Sequence, residues 1–297
     1  MLNILKERLV FKLVFRAEKP FTLSPVKGYE LSENMIIVRK YKIGEREFSI
    51  IPSTSLKGAF RRISEYISIS IDYENSIVNE IAKVHCENKK NQHPIKGDIK
   101  SVLEKIISKY PLIKDQLVKD GILQNNVIED KNKDRAWSEA SALLCPVCLL
   151  YGSPYARGKL WFKDSIVPAD ANLITRYQRV GINRATNVAQ EDALYSIEVL
   201  PPGLEFTANI IATNLEENER KLLVKTLKFV RILGLQIGYE KSRGLGLFTL
   251  DENKSEVYHL NFKDIKDLKE KTEALISVFK KDERFSTNLK SFLKLNS

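Results

Sequence analysis

The first apolar run, residues 9–16 (LVFKLVFR), is rich in Val and Phe and is broken only by Lys12, the pattern of a largely buried strand. A Pro- and Gly-bearing loop follows over residues 19–33. Residues 35–41 and 47–51 then flank Lys42-Ile-Gly-Glu, which predicts a β-hairpin, and Pro52 closes that unit. Leu56, Phe60, Ile63 and Ile67 share one face of a helix expected over about residues 56–67, with Ser53 or Ser55 able to cap it.

Between residues 73 and 135 the texture changes to a charged, Asn- and Lys-rich stretch. A helical period runs through Ile99, Val102, Leu103, Ile106 and Ile107, and turn signals stand at Asp120-Gly121 and over residues 124–133. These features predict a partly helical insertion. Strand character resumes at residues 158–166 (GKLWFKDSI) and 204–212 (LEFTANIIA). A helix over residues 216–237 carries Leu222, Leu223, Leu227, Val230, Leu233 and Leu235, residues 245–250 form a last strand, and residues 262–279 a charged amphipathic helix. Strand–helix–strand units with hairpins, and no long parallel series, predict an antiparallel α+β fold of ferredoxin-like type. The expected division is a core from residues 1–72 and 136–262, an inserted subdomain at 73–135 and a C-terminal helical extension at 263–297.

Composition narrows the partners. Lys and Arg outnumber Asp and Glu by 48 to 38, so the net charge of +10 suits a polyanion, although a solvated Lys-rich surface has the same arithmetic. The N-terminus breaks any apolar run with charge, and no stretch reaches the roughly 18 apolar residues of a membrane span. Three cysteines are too few for a disulfide framework. A cytoplasmic protein without membrane partners is expected.

Three clusters carry candidate chemistry. In Ile51-Pro-Ser-Thr-Ser-Leu-Lys-Gly-Ala-Phe-Arg-Arg, hydroxyl residues open a helix that also bears Lys57, Arg61 and Arg62. Unpaired N–H groups and cations there can bind phosphate; a capped helix with a solvated basic side is the other reading. The second is Gly238-Tyr-Glu-Lys-Ser-Arg-Gly-Leu-Gly-Leu-Phe, whose glycines allow close backbone approach and whose Lys241 and Arg243 supply charge. It lacks the Gly-Lys-Ser/Thr order of a Walker loop and does not follow a strand as a dinucleotide fingerprint does, while a simple helix-to-strand turn stays open. The third is Cys145-Pro-Val-Cys148 with His85-Cys86 upstream. Together these supply a Cys3His set for structural Zn2+, provided that the backbone at 85–86 is irregular, as in a loop; His93 is a reserve ligand and buried unliganded cysteines the alternative. No thioredoxin-like context supports a redox role.

Taken in order along the chain, these segments resemble the RAMP superfamily of CRISPR-associated proteins. The resemblance lies in Ile51-Pro-x-x-Ser-Leu-Lys-Gly-x-x-Arg61, in Cys145-Pro-Val-Cys-Leu-Leu-Tyr-Gly152 followed by Gly158-Lys-Leu-Trp-Phe-Lys-Asp164, in Val180-Gly-Ile-Asn-Arg184 with Leu194-Tyr-Ser-Ile-Glu-Val-Leu-Pro-Pro-Gly203, and in the Gly238 loop. It is nearest to the backbone subunits of type III Csm and Cmr complexes. It implies a RAMP ferredoxin-like core with a thumb hairpin at about residues 176–202. It further implies a guide-RNA-binding subunit in antiviral defence, stacked with copies of itself and with other subunits, whose thumb intrudes between guide and target RNA. Ser55, Lys57, Arg61, Arg184, Lys241, Ser242 and Arg243 become the implied RNA contacts. Zinc in some relatives supports His85, Cys86, Cys145 and Cys148 as a staple between insertion and core.

Catalytic relatives cut target RNA with an Asp in the loop after the first strand, assisted by a metal ion. Here residues 21–35 hold no Asp, only Glu30 and Glu33, with Asn34 at the position an ungapped alignment selects. The longer Glu side chain displaces the carboxylate, and such misplacement costs orders of magnitude in rate. A non-cleaving subunit is therefore favoured; the alternatives are a Mg2+-dependent target-cutting endoribonuclease and a guide-processing one. Asp164 is expected to support the strand turn. An RRM outside CRISPR is disfavoured, since no RNP motif is present.

Overall fold

The computed structural model describes residues 5–23, 35–36, 40–74, 76–87, 99–168, 173–262, 268–277 and 286–295. Strand β1 (Glu7–Ala17) leads through β2 (Met35–Ile36) to the hairpin of β3 (Lys40–Ile43) and β4 (Arg46–Ile51), and then to α1 (Ser53–Ser68). The charged stretch contains α2 (Ser76–Glu87), α3 (Ile99–Lys109), α4 (Pro111–Lys119), β5 (Leu123–Gln124) and β6 (Val127–Ile128). Asn125 and Asn126 turn that small hairpin at φ of 49° and 61°, which Asn tolerates. Next come α5 (Lys133–Leu144), α6 (Pro146–Tyr151), β7 (Leu160–Phe162), β8 (Ser165–Val167), β9 (Thr175–Ile182), β10 (Ala189–Val199) and β11 (Glu205–Thr213). The chain continues with α7 (Glu217–Leu233), β12 (Leu235–Gln236), β13 (Leu247–Asn261), α8 (Leu268–Ser277), β14 (Ser286–Asn288) and α9 (Leu289–Leu295).

The elements β1, α1, β7, β11, α7 and β13 follow the β-α-β-β-α-β order of a ferredoxin-like unit. The main sheet runs β12-β13-β1-β11-β7, with β14 also paired to β13. The expected α+β fold is thus the observed one. Elsewhere β4 pairs with both β3 and β8, and β10 pairs with β9 and β2.

Some expectations shift. The single strand expected at 158–166 is two short strands, β7 and β8, with Asp164 between them. The last strand does not stop at residue 250. β13 runs to Asn261 because its register against β1 slips between Lys12 and Val14, where the Ser255 hydroxyl accepts the Val14 N–H (2.9 Å). A β-bulge thereby carries the polar segment at 251–255 without ending the ladder. Beyond it, α8 occupies part of the predicted C-terminal helix, and α9 seats Phe292 edge-on to Phe11 at 5.5 Å.

The chain divides into two compact units. The first comprises Met1–Lys6, Arg61–Trp161 and Ala212–Thr226, the second Glu7–Phe60, Phe162–Ile211 and Leu227–Ser297. In the second, wholly buried rings form the core: Phe15 stacks on Phe206 at 5.4 Å, and Phe248 meets Phe206 and Phe21 edge-on at 5.3 and 4.9 Å. In the first, a buried hydroxyl chain has one proton order. Thr226 donates to the Leu222 carbonyl (2.8 Å), so Ser64 must donate to Thr226 (2.8 Å) and Tyr151 to Ser64 (2.8 Å). Burial pushes the Tyr151 phenol upward, so it remains a donor at physiological pH. At the start of α7, the buried Glu219 carboxylate accepts the Glu216 N–H (2.9 Å) and takes Lys159 Nζ on both oxygens (2.7 Å each). This is one half of a capping box, closed by a lysine.

Candidate nucleic-acid interface

Helix α1 starts at Ser53, and three of the N–H groups expected to be unpaired there have protein partners. Asp164 Oδ1 accepts the Ser53 N–H at 2.6 Å, and the Pro52 carbonyl accepts those of Ser55 (3.0 Å) and Leu56 (3.1 Å). Asp164, between β7 and β8, therefore supports the first turn of α1, where its negative charge lies at the positive end of the helix. Ser55 and Lys57 are half-buried on the first turns. Arg61, four residues after Lys57, turns its guanidinium inward within the first unit: Nε donates to Glu65 (2.9 Å) and Nη1 to the Gly152 carbonyl (2.9 Å).

The glycine-rich loop, by contrast, displays its cations. Lys241, Ser242 and Arg243 form one exposed 3-10 turn between two left-handed residues, Glu240 (φ 50°) and Gly244 (φ 87°). The Glu240 carbonyl accepts the N–H groups of Arg243 (2.9 Å) and Leu245 (3.3 Å), closing the turn. The glycines that bound this turn serve the protein's own backbone. A Cβ on Gly238 would collide with the Thr22 carbonyl oxygen, and one on Gly246 with that of Ile237, whereas Gly244 faces open space.

Glu240, which sequence reasoning passed over, is the centre of the arrangement. Its side chain is only 4% exposed and accepts from Tyr195 Oη (2.7 Å), Arg243 Nη1 (2.7 Å) and Arg179 Nε (3.1 Å). Burial alone would raise its pKa, but the three donors outweigh that and hold it below the ordinary carboxylate value. Arg179 and Tyr195 are cross-strand partners on β9 and β10, so the carboxylate fastens the glycine-rich loop to that hairpin. Apolar packing reinforces the junction, with Leu245 buried against Ile197 and Val199 beside Tyr177 and Tyr195. An acid between a glycine and two cations was the available signal. Its partners, 45 and 61 residues away, were not legible locally.

The β9–β10 hairpin carries Arg184, exposed, on its turn. The turn is closed by Asn183, whose Oδ1 accepts the Ala185 N–H (2.9 Å) and whose carbonyl accepts that of Asn187 (2.8 Å). Val180, Ile182, Val188 and Leu194 are exposed along the hairpin, and Val180 lies directly opposite Leu194. Of the expected RNA contacts, then, the structure gathers Lys241, Ser242 and Arg243 into one turn and ties it to the hairpin bearing Arg184. Ser55, Lys57 and Arg61 lie separately on α1.

Cys145 and Cys148 are wholly buried, the first as N-cap of α6 and the second in its first turn, and α2 packs against α6. The irregular backbone expected at 85–86 is instead the last turn of α2. The loop-like backbone on which the four-ligand set was conditioned is therefore not the one found at residues 85–86. Among the described residues no metal-binding group of His, Cys, Asp and Glu is assembled. His93, Glu30, Glu33 and Asn34 lie outside the described residues. No helix among those described is long and apolar enough to cross a membrane.

The family model of the RAMP superfamily matches residues 33–249, which takes in the helix-opening motif, the cysteine pair, the hairpin and the whole glycine-rich loop. No curated protein matches the chain. Among solved structures it is similar to a chain of a "Type IV-B CRISPR Complex", with 14% identity and a TM-score of 0.47, covering 82% of this chain and 89% of that one.

Proposed function

The chain belongs to the RAMP superfamily, and on that premise we propose that it is a guide-RNA-binding backbone subunit of a CRISPR interference complex of type III. The observation that carries this reading is the exposed turn of Lys241, Ser242 and Arg243, held rigid by Glu240 and joined by it to the hairpin that bears Arg184. Cations on a stiff turn neutralise phosphates without losing much side-chain freedom, and they read backbone and shape instead of sequence. Ser55 and Lys57 add contacts from α1; Arg61, bonded to Gly152 and Glu65, positions that helix and its neighbouring loop. The hairpin, with its exposed apolar residues, acts as the thumb between guide and target RNA. Copies of this chain and other subunits of the complex are the protein partners, in the cytoplasm.

As a structural subunit it leaves target RNA intact. Incubating the assembled complex with complementary RNA and Mg2+ tests this, and regular cuts abolished by Glu33→Gln would contradict it. Structural Zn2+ would be held by Cys145 and Cys148, completed by His85 and Cys86 if the last turn of α2 unwinds, and would staple the insertion to the rest of the chain. Metal analysis expects about one zinc per chain, and a ratio near zero rejects the site. The decisive test of function is sequencing the RNA that co-purifies with the native assembly. CRISPR-repeat-derived RNA is expected; an unrelated cellular pool would overturn the assignment.

A further inference from the structure

Residues 152–161 form a second built surface, in the first unit, that the phosphate contacts above do not use. Exposure alternates along it: Tyr155, Arg157 and Trp161 face solvent, while Ala156 and Leu160 are buried. The segment is fixed at several points. Ser153 Oγ accepts the N–H groups of Tyr155 (3.2 Å) and Ala156 (3.0 Å), and the Ala156 carbonyl accepts that of Ser153 (2.8 Å). The Lys159 N–H reaches the Leu149 carbonyl (2.9 Å), and its ammonium is clamped by buried Glu219. Gly158 lies so close to Tyr151 and Gly152 that a Cβ there would stand 2.8 Å from backbone atoms. Arg61 holds the Gly152 carbonyl from α1, and the next residue, Arg62, packs over an exposed Tyr66 ring at 5.7 Å.

On this frame the Arg157 guanidinium lies over the Trp161 ring at 5.7 Å, yet Trp161 remains 44% exposed and Tyr155 40%. A tryptophan this open on the edge strand β7, with exposed Tyr155 in the same segment, offers ring surface to a ligand. A planar cation over the ring, a second exposed aromatic six residues before it and a strongly basic chain together select a flat, π-bearing, negatively tethered ligand. We infer that Tyr155, Arg157 and Trp161 form a stacking platform for an unpaired nucleobase of the bound RNA. This rests on the RNA-binding reading above but adds to it a contact to bases, where the glycine-rich turn contacts phosphates. Base–aromatic stacking is tolerant of sequence because every base offers a π-face.

The test compares a short uridine oligonucleotide with an abasic ribose-phosphate strand of equal length, using the full-length chain. The chain has two tryptophans, and Trp137 is 7% exposed, so quenching by a stacked base reports on Trp161. Uridine RNA is expected to quench fluorescence and to bind about tenfold more tightly than the abasic strand. Trp161→Ala abolishes that preference. Trp161→Phe keeps the preference and removes the quenching. Lys241→Ala weakens both strands by the same factor, which separates the phosphate contact from the platform. Equal binding of the two strands by the wild type, or a preference that survives Trp161→Ala, overturns the platform while leaving the phosphate reading in place. Failure to bind either strand overturns both. A smaller assembly for Trp161→Ala by light scattering, with the base preference unchanged, would assign the ring to a protein contact instead.

Discussion

Two glycine-bounded loops, residues 152–158 in the first unit and 238–246 in the second, are built by the same device and finished with different chemistry. In both, glycine is required because the chain passes against its own backbone: Gly158 against Tyr151 and Gly152, Gly246 against Ile237, Gly238 against Thr22. Some of the residues between the glycines are thereby held outward in each loop. In the first unit these include Tyr155 and Arg157, supported by hydroxyl and backbone hydrogen bonds; in the second they are Lys241, Ser242 and Arg243, supported by one buried carboxylate. The difference teaches that the glycines in these motifs make the scaffold, and that ligand chemistry resides in what they leave exposed. A glycine-rich loop invites the opposite reading, in which the glycines themselves admit the ligand.

Substituting the glycines separates the two loops most sharply. Gly246→Ala places a Cβ on the Ile237 carbonyl at a left-handed φ of 72° and is expected to cost about 3 kcal/mol or more. Gly158→Ala meets backbone at 2.8 Å without a left-handed φ, and a loss of about 1–2 kcal/mol is expected. Denaturant midpoints measure both, and a reversed order would contradict the steric account. Glu240→Gln should fall between the two, at about 2 kcal/mol, because it removes the charge that holds Arg179, Arg243 and Tyr195 together. Lowered in the folded state, the Glu240 pKa contributes stability that is complete above the unfolded value and is lost as pH falls through the folded one. The variant should therefore lose part of the wild type's acid sensitivity below about pH 4.

The smallest effect contrasts a second buried acid. Glu139, on α5 in the first unit, is 3% exposed, and burial together with the neighbouring Asp120 carboxylate pushes its pKa up to about 7. Here the sign is opposite. The folded state holds the proton more tightly, so stability declines as pH rises from the unfolded value near 4.5 toward 7. Glu139→Gln should flatten that decline and stabilise the protein at pH 8 by about 1 kcal/mol. Thermal melts between pH 5 and 8 test this, and an unchanged slope would show that Glu139 is ionised at little cost.

Much of the fold was legible because its signals are local. The apolar periodicity of residues 56–67 anticipates α1 within a few positions, and that of 216–237 anticipates α7. β13 continues past residue 250 because the ladder resumes at Glu256 opposite Lys12 after residues 252–255 bulge out of register, a long-range pairing that the polar residues there do not announce. The cations of the candidate interface were likewise visible as a cluster. What orders them was not, since Glu240 meets residues on two strands far away in sequence. At the cysteines the reverse holds. The motif suggested a metal on the condition of a loop at residues 85–86, but the spacing did not reveal that the backbone there is helical.

The central claim is that the turn at Lys241 and Arg243, with Lys57, neutralises RNA phosphates, and the salt dependence of RNA affinity tests it most directly. For single-stranded RNA each lost phosphate contact should flatten the slope of log K against log salt by about 0.7. Lys57→Ala, Lys241→Ala and Arg243→Ala combined are expected to lower the slope by about 2 and to weaken unrelated RNA sequences equally. A triple variant that keeps both the slope and the affinity of the wild type would contradict the account.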